Sequence, residues 1–220
     1  MKLDPLPLYQ TVQISLCATV LSVLVGTPLA WLLARKQFWG KHFVDALAMQ
    51  PLVIPPTVLG YYLLVLLGRG SPLGSFFENY LGLQLVFTWR GAVLAATVAS
   101  LPLYVKPARA AIEAVDRAYE DVARLLGRGE WSVLRTVTLP LAWRGLVAGA
   151  VMAFARAMGD FGTTLMVIGN MPGRLQTVSI AIYDAWQSGD LERANLLVLI
   201  VTVFSVAILW CVSRFTGGKI

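Results

Sequence analysis

Arg156 and Asp160 are the residues whose type is least expected of their surroundings. They lie one helical turn apart inside a long apolar run, within the stretch AMGDFGTTLMVIGN, which is rich in small and polar residues. Ionisable side chains at such positions are by default functional, and the open alternative is a salt bridge that only holds helices together. A carboxylate at Asp160 would cancel much of the field of Arg156, so the pair predicts gating or structure rather than anion binding. The predicted gate comprises Arg156, Gly159, Asp160, Phe161, Gly162 and Thr163.

No other set of residues offers catalytic or metal chemistry. His42 is the single histidine, and Cys17 and Cys211 lie far apart within apolar runs, where an inert buried thiol is the default. The GxxxxGK[ST] pattern that binds nucleotide phosphates is absent from the sequence. We therefore predict that the chain is not an enzyme and holds no cofactor, and that any driving energy enters from a partner.

A polar segment from Ala114 to Pro140 interrupts the apolar runs and carries eight charged residues of mixed sign. Its pattern predicts two short helices joined by a turn at Gly127 and Gly129, with an i,i+4 pair between Glu120 and Arg124. Proline is expected to end the second helix at Pro140. A segment of this kind between apolar runs is a natural place for a partner to bind, although a solvated linker helix is the alternative.

The composition is that of a helical membrane protein. Hydrophobic residues make up 57% of the chain and charged residues 14%, whereas soluble domains contain about 25% charged residues. Several apolar runs reach the roughly 20 residues that a helical span needs. We predict one transmembrane domain, 1–220, in an all-α polytopic fold with about five spans. The predicted spans are 12–34, 43–67, 91–111, 141–168 and 194–212, and a sixth within 171–190 is less favoured than a re-entrant or interfacial helix.

Two local patterns within the spans predict special packing. Pro51, Pro55 and Pro56 should kink or break the second span, and the stretch either lines a translocation path or forms a structural kink. Gly145, Gly149, Ala153 and Ala157 recur every four residues in the fourth span, which allows close approach of another helix. Residues 68–89 predict a short interfacial loop and helix.

Basic residues are divided unequally between the two sides of this arrangement. One side carries twelve: Arg35, Lys36, Lys41, Lys106, Arg109, Arg117, Arg124, Arg128, Arg135, Arg144, Arg214 and Lys219. The other side carries five: Lys2, Arg69, Arg90, Arg174 and Arg193. The positive-inside rule places the polar segment and the C-terminus in the cytoplasm and the N-terminus outside. The net charge of +6 therefore reflects topology rather than nucleic-acid binding.

The polar segment resembles the EAA loop of ABC importer permeases, whose pattern is Glu-Ala-Ala, three residues, Gly, nine residues, Ile, one residue, Leu-Pro. Here Asp121-Val122-Ala123 is followed at the same spacing by Gly127, Val137 and Leu139-Pro140. Asp121 keeps the charge of the family's Glu, whereas Val122 adds bulk. The closest resemblance is to molybdate/tungstate permeases, through PLVIPPTVLGYYLLVLLGRGSPLG, FTWRGAVLAATVASLPLYVKPARAAIEAVD and MAFARAMGDFGTTLMVIGNMPGRLQTVSIAIYDAWQSGD. Sulfate/thiosulfate permeases are the main rival, and a secondary transporter and a purely structural scaffold are the rivals from other classes.

This resemblance implies a type I ABC importer permease with cytoplasmic coupling helices at about 113–140. It implies a homodimer in a bacterial or archaeal cytoplasmic (inner) membrane, two ATPase subunits that hold ATP and Mg, and an extracytoplasmic oxyanion-binding protein. It implies that the ATPase would dock on Glu120, Asp121, Ala123, Arg124, Leu126, Gly127, Arg128, Leu139 and Pro140.

Overall fold

The computed structural model describes residues 4–216 and consists of helices joined by short connections. In chain order they are α1 (Leu6–Arg35), α2 (Lys41–Met49), α3 (Pro56–Leu67), α4 (Pro72–Leu81), α5 (Trp89–Glu113), α6 (Arg117–Leu125), α7 (Glu130–Val133), α8 (Leu139–Met158), α9 (Gly162–Ile168), α10 (Val178–Gln187) and α11 (Leu191–Thr216). A 3-10 turn covers Gln50–Leu52, and a π-helical turn covers Leu134–Thr138.

Within the described residues, four helices are long and apolar enough to cross a membrane, and the number is five if a bent pair of helices forms one span. The four are α1, α5, the continuous helix Glu130–Met158, and α11 as far as Ile208. The bent pair joins Lys41–Leu52 to Pro56–Leu67 at 112°. The four helices correspond to the first, third, fourth and fifth predicted spans, and the bent pair occupies the place of the second. The sixth candidate, α10, has only ten residues, which is about half the length that a span needs.

The bend in the second span lies at the predicted prolines. Pro51 lies in the 3-10 turn, Pro55 is extended with φ −54° and ψ 137°, and Pro56 is the first residue of α3. Proline is tolerated at the first position of a helix because the amide that it lacks would have no partner there. The predicted break is therefore confirmed.

Two predicted boundaries are wrong. Pro140 does not end a helix, since it lies in the first turn of α8 and the helix runs through it. The π-helical turn immediately before it, in which Leu139 N donates to Leu134 O, accommodates a residue without an amide hydrogen. The fourth span was predicted to reach Ile168, but the long helix ends at Met158 and α9 is a separate helix.

The core forms where α1 and α8 pack on α5. Small residues permit this packing: Ala92, Ala95, Ala96 and Ala99 of α5 are fully buried, as is Ala153 of α8. A Cβ added to Gly149 would lie 2.9 Å from the carbonyl oxygen of Tyr104. The predicted small-residue stripe is thus the face of α8 that contacts α5.

The two ends of α1 lie in different groups of the basic residues that the sequence separates: Arg35 belongs to the group of twelve, and Gln10 bonds a member of the group of five. Arg35, at one end, pairs with Glu120, and Gln10, at the other, bonds the backbone of Arg174. Lys2 and Lys219, which the topology prediction also uses, lie outside the described residues, as do the side chains of Cys211 and Arg214. Cys17 is half-buried against the core.

Gly145→Ala should destabilise the contact between α5 and α8. The added Cβ would collide with the Cβ of Ala111, and overpacking of this kind costs about 1–3 kcal/mol. Thermal unfolding of the purified chain in detergent measures the loss. Gly70→Ala is the control, because no atom lies within 4 Å of a Cβ added there. Equal unfolding temperatures for the two variants would contradict the close approach.

Candidate coupling surface and gate

Helix α6 has defined signals at both ends. Asp116 begins it by accepting a hydrogen bond from the Ala118 amide at 2.9 Å. At the other end Gly127 adopts φ +80°, a left-handed conformation that glycine adopts without steric cost. The Gly127 amide bonds the carbonyl of Arg124 at 2.9 Å, and the Arg128 amide bonds that of Ala123 at 3.1 Å. This is a Schellman motif, so Gly127 sets the direction in which the chain leaves α6.

The second half of the polar segment is continuous with a membrane span. The helix Glu130–Met158 runs from α7 through the π-helical turn into α8 without interruption. A displacement of α7 is therefore carried directly into the span, because no loop separates them.

Glu120 lies in the interior, although the sequence predicts it as part of the docking surface. Its side chain is 3% exposed and that of Arg35 is 8% exposed. Glu120 Oε1 accepts from Arg35 Nε at 3.0 Å and from Thr138 Oγ1 at 2.7 Å, while Arg35 Nη2 also donates to the carbonyl of Val115 at 2.8 Å. The carboxylate anchors α6 to α1 and to the turn before α8. Ala123 is also buried.

Arg124 connects the two halves of the polar segment on the outside. Its guanidinium bonds Asp121 and Glu130, each at 2.7 Å, and it lies 3.5 Å from Glu120 Oε2, the predicted i,i+4 partner. The hydrogen bond to Glu130 raises the pKa of Arg124. Asp121 is well exposed. The ion pairs of Arg124 with Asp121 and Glu130 therefore lie on the surface and contribute little to the free energy of unfolding.

The apolar face of α6 points away from the body of the protein. Leu125 is 87% exposed and Leu126 is 77% exposed, and Trp131 at the start of α7 is 72% exposed. A groove of about 440 Å³ runs along this face. Its lining residues are Tyr119, Val122, Ala123, Leu126, Arg128, Thr136, Val137, Pro140 and Leu141. Contiguous exposed apolar surface of this kind marks an interaction site, which we call the coupling surface.

The coupling surface includes residues that the sequence-based prediction missed. Tyr119, Leu125 and Trp131 are exposed on it, and their helical spacing beside the predicted docking residues was the available signal. Of the predicted docking residues, Ala123, Leu126, Arg128 and Pro140 line the groove, Gly127 forms the turn between two of them, and Leu139 is partly covered. The sequence around Arg35 did not indicate its role in anchoring α6, because its partner Glu120 is 85 residues away.

At the predicted gate, the Asp160 carboxylate is fully buried, and both of its oxygens accept hydrogen bonds. Its Oδ1 lies 3.0 Å from Arg156 Nη1, and its Oδ2 accepts from the amide and the hydroxyl of Thr164 at 2.9 and 2.6 Å. Asp160 thus joins the end of α8 to the start of α9. The Arg156 charge is neutralised locally, as the sequence predicts.

The break in the second span meets the start of α9. A Cβ on Gly162 would lie 3.0 Å from the Cβ of Pro56, and one on Gly60 would lie 2.8 Å from the carbonyl oxygen of Thr163. The structure therefore brings Pro56 next to Gly162, and Gly60 of the same helix next to Thr163.

The remaining predicted gate residues lie apart from this contact. Pro51 belongs to the turn that packs on α5. Gly159 lies on a different cavity, between α1, α10 and α11. The Phe161 ring contacts that of Tyr183 of α10, with centroids 5.2 Å apart.

A bundle of broken and continuous spans with an exposed coupling surface defines a permease subunit of a type I ABC importer. The fold matches that of the MetNI methionine ABC transporter in an inward-facing conformation, with a TM-score of 0.70 over 96% of this chain and 93% of that chain, at 17% identity. The chain belongs to the family of binding-protein-dependent transport system inner membrane components, whose family model matches residues 26–217. It is thus a multi-pass membrane permease of the pore-forming kind.

Two relatives bear on its specificity. The molybdenum transport system permease protein ModB of Escherichia coli strain K12 is 42% identical over 97% of this chain and 98% of its own length. A probable sulfate transport system permease protein, cysT of Chlorella vulgaris, is 31% identical over 93% of this chain and 77% of its own length.

Glu120→Ala should unfold or detach α6, because it leaves the buried Arg35 without its partner. Removing one member of a buried ion pair costs about 3–5 kcal/mol. Asp121→Ala, next in the chain but exposed, should change stability by less than about 1 kcal/mol. The free energy of unfolding in detergent, together with protease cleavage within 114–130, distinguishes the two. Equal behaviour of the variants would contradict the buried anchor.

Proposed function

We propose that this chain is the permease subunit of an ATP-driven importer of molybdate, and of tungstate as the chemically similar oxyanion. The observation that carries the proposal is the high identity, over nearly the full length of both chains, to a protein named as a molybdenum transport permease. Sulfate is the second candidate anion, because a sulfate permease is a more distant relative that this chain covers less completely.

Anion selection is expected to lie outside this chain. The basic side chain within the membrane helices nearest the predicted gate, Arg156, is neutralised by Asp160 at 3.0 Å. A paired charge attracts a dianion weakly, because the opposing fields largely cancel. An extracytoplasmic binding protein that delivers the oxyanion is therefore part of the proposal.

Energy enters through the coupling surface. An ATPase subunit, which holds ATP and Mg, would cover the exposed side chains of Leu125, Leu126 and Trp131. Two copies of the chain would enclose one path, and each would engage one ATPase. The polar segment and the C-terminus would lie in the cytoplasm and the N-terminus outside, in agreement with the clustering of Arg35, Lys36 and Arg124 around it.

Alternating access follows from the continuity of the helices. ATP-driven movement of the ATPase subunits would displace α6 and α7, and the uninterrupted helix Glu130–Met158 would carry that displacement through the membrane. It ends at Met158. Asp160 then bonds Thr164 of α9, and Gly162 of α9 contacts Pro56 at the break of the second span. The contact between Gly162 and Pro56 is thus the proposed moving part of the gate.

The co-purified complex tests this proposal. Tagged permease should retain its ATPase subunit, and binding protein loaded with molybdate or tungstate should stimulate ATP hydrolysis by about fivefold or more, which is within the usual range of coupling between sites. The same binding protein without anion is the control. Stimulation by a sulfate-loaded binding protein alone would replace molybdate by sulfate, and a stable permease that recruits no ATPase would contradict the importer.

A further inference from the structure

Helix α1 is attached at both of its ends by buried polar side chains. It has 30 residues, which corresponds to a length of about 45 Å. Arg35 attaches one end to the coupling helix α6, and Gln10 and Thr11 attach the other end to the segment that begins α10. One continuous helix, which contains Pro28 in its second half, therefore joins the coupling segment to the segment that precedes α10.

At the α10 end, the side-chain amide of Gln10 bonds two backbone groups, as a peptide group of a neighbouring strand would. Gln10 Oε1 accepts from the Gln176 amide, and Gln10 Nε2 donates to the Arg174 carbonyl, both at 2.8 Å. The hydroxyl of Thr11 accepts from the Val178 amide at 2.8 Å. Gln10 and Thr11 are both buried, so water cannot replace these bonds without opening the contact.

The attachment at the α6 end is equally specific. The fork of Arg35 reaches Glu120 through both Nε and Nη2 at 3.0 Å, and Nη2 also holds the carbonyl of Val115. A lysine in its place would keep the charge but could not reproduce this planar fork. Movement of α6 therefore displaces α1 instead of bending the short connection before α6.

The middle of α1 has little freedom to absorb such a displacement. Ser22 bonds Ser100 at 3.2 Å, and a Cβ added to Gly26 would lie 2.5 Å from the ring of Tyr104. The middle of α1 is therefore packed tightly against α5. Coupling between distant sites is carried by rigid elements and hydrogen-bond networks of this kind.

We propose that α1 is the link through which occupancy of the outer face is communicated to the coupling surface, with Gln10 and Arg35 as positioning residues at its ends. The inference rests on the proposed function, since it assigns α10 to the face that the binding protein meets. It concerns transmission, and it leaves the docking of the ATPase and of the binding protein to other residues.

Two matched pairs of variants test the link in the purified complex of permease and ATPase. Gln10→Leu removes the bonds to 174–176, whereas Gln13→Leu removes a bond to Tyr9 of the same helix. Arg35→Lys removes the fork on α6, whereas Arg109→Lys alters an ion pair between α5 and Asp45 of α2, in which the same guanidinium also bonds Glu113 of α5. ATP hydrolysis is measured against the concentration of molybdate-loaded binding protein, alongside the amount of ATPase retained and the unfolding temperature.

The link predicts that Gln10→Leu and Arg35→Lys lower the maximal stimulation about fivefold or more, while hydrolysis without binding protein and the retained ATPase stay within twofold. The two control variants should keep full stimulation. Should Gln10→Leu fail to fold, Thr11→Val, which is nearly isosteric, replaces it and should lower the maximum in the same direction.

Three results would overturn the link. One is full stimulation of folded Gln10→Leu and Arg35→Lys complexes. Another is a higher concentration of binding protein for half-maximal stimulation with an unchanged maximum, since that would make Gln10 a support for docking alone. The third is an equal loss in the control variants. A wild-type complex without stimulation would instead contradict the proposed function itself.

Discussion

The buried contact between Arg35 and Glu120 decides how the coupling helix is presented. A buried ion pair adds little net stability, because the loss of hydration offsets the attraction between the charges. Its consequence here is geometric. With Glu120 held inside by Arg35 and Thr138, the opposite face of α6 must carry Leu125 and Leu126 outward. Apolar side chains that would normally enter the core thereby form the surface that a partner can cover.

Close packing of α8 on α5 connects the coupling surface to the helices within the membrane. The small residues of α8 allow its backbone to approach α5, as the 2.9 Å distance from a Cβ on Gly149 to the Tyr104 carbonyl indicates. In a bilayer such packing replaces the hydrophobic effect as the source of helix association. The breaks lie where backbone groups find other partners, at Pro55 and at Asp160. Closely packed long helices with localised breaks between them are consistent with the proposed alternating access.

Much of this architecture could be predicted from the sequence because its signals are local. Hydropathy predicted the spans, three prolines predicted the break, and Gly127 and Gly129 predicted the turn that ends α6. The orientation of α6 could not be predicted, because it depends on a partner 85 residues away. Pro140 was misjudged because the rule for proline is local, whereas the π-helical turn before it accommodates the missing amide. The bonds of Gln10 to residues 174–176 likewise span most of the chain.

Photo-cross-linking from the coupling surface tests the central claim most directly. A photoreactive residue would replace Leu126, and in a separate variant Leu81 of α4, which is exposed at the other end of the bundle. After illumination of membranes that contain the whole transporter, the variant at 126 should yield an adduct with the ATPase subunit and the variant at 81 should yield none. An ATPase adduct from 81, or its absence from 126 in a complex that retains the ATPase, would contradict the assignment of the coupling surface.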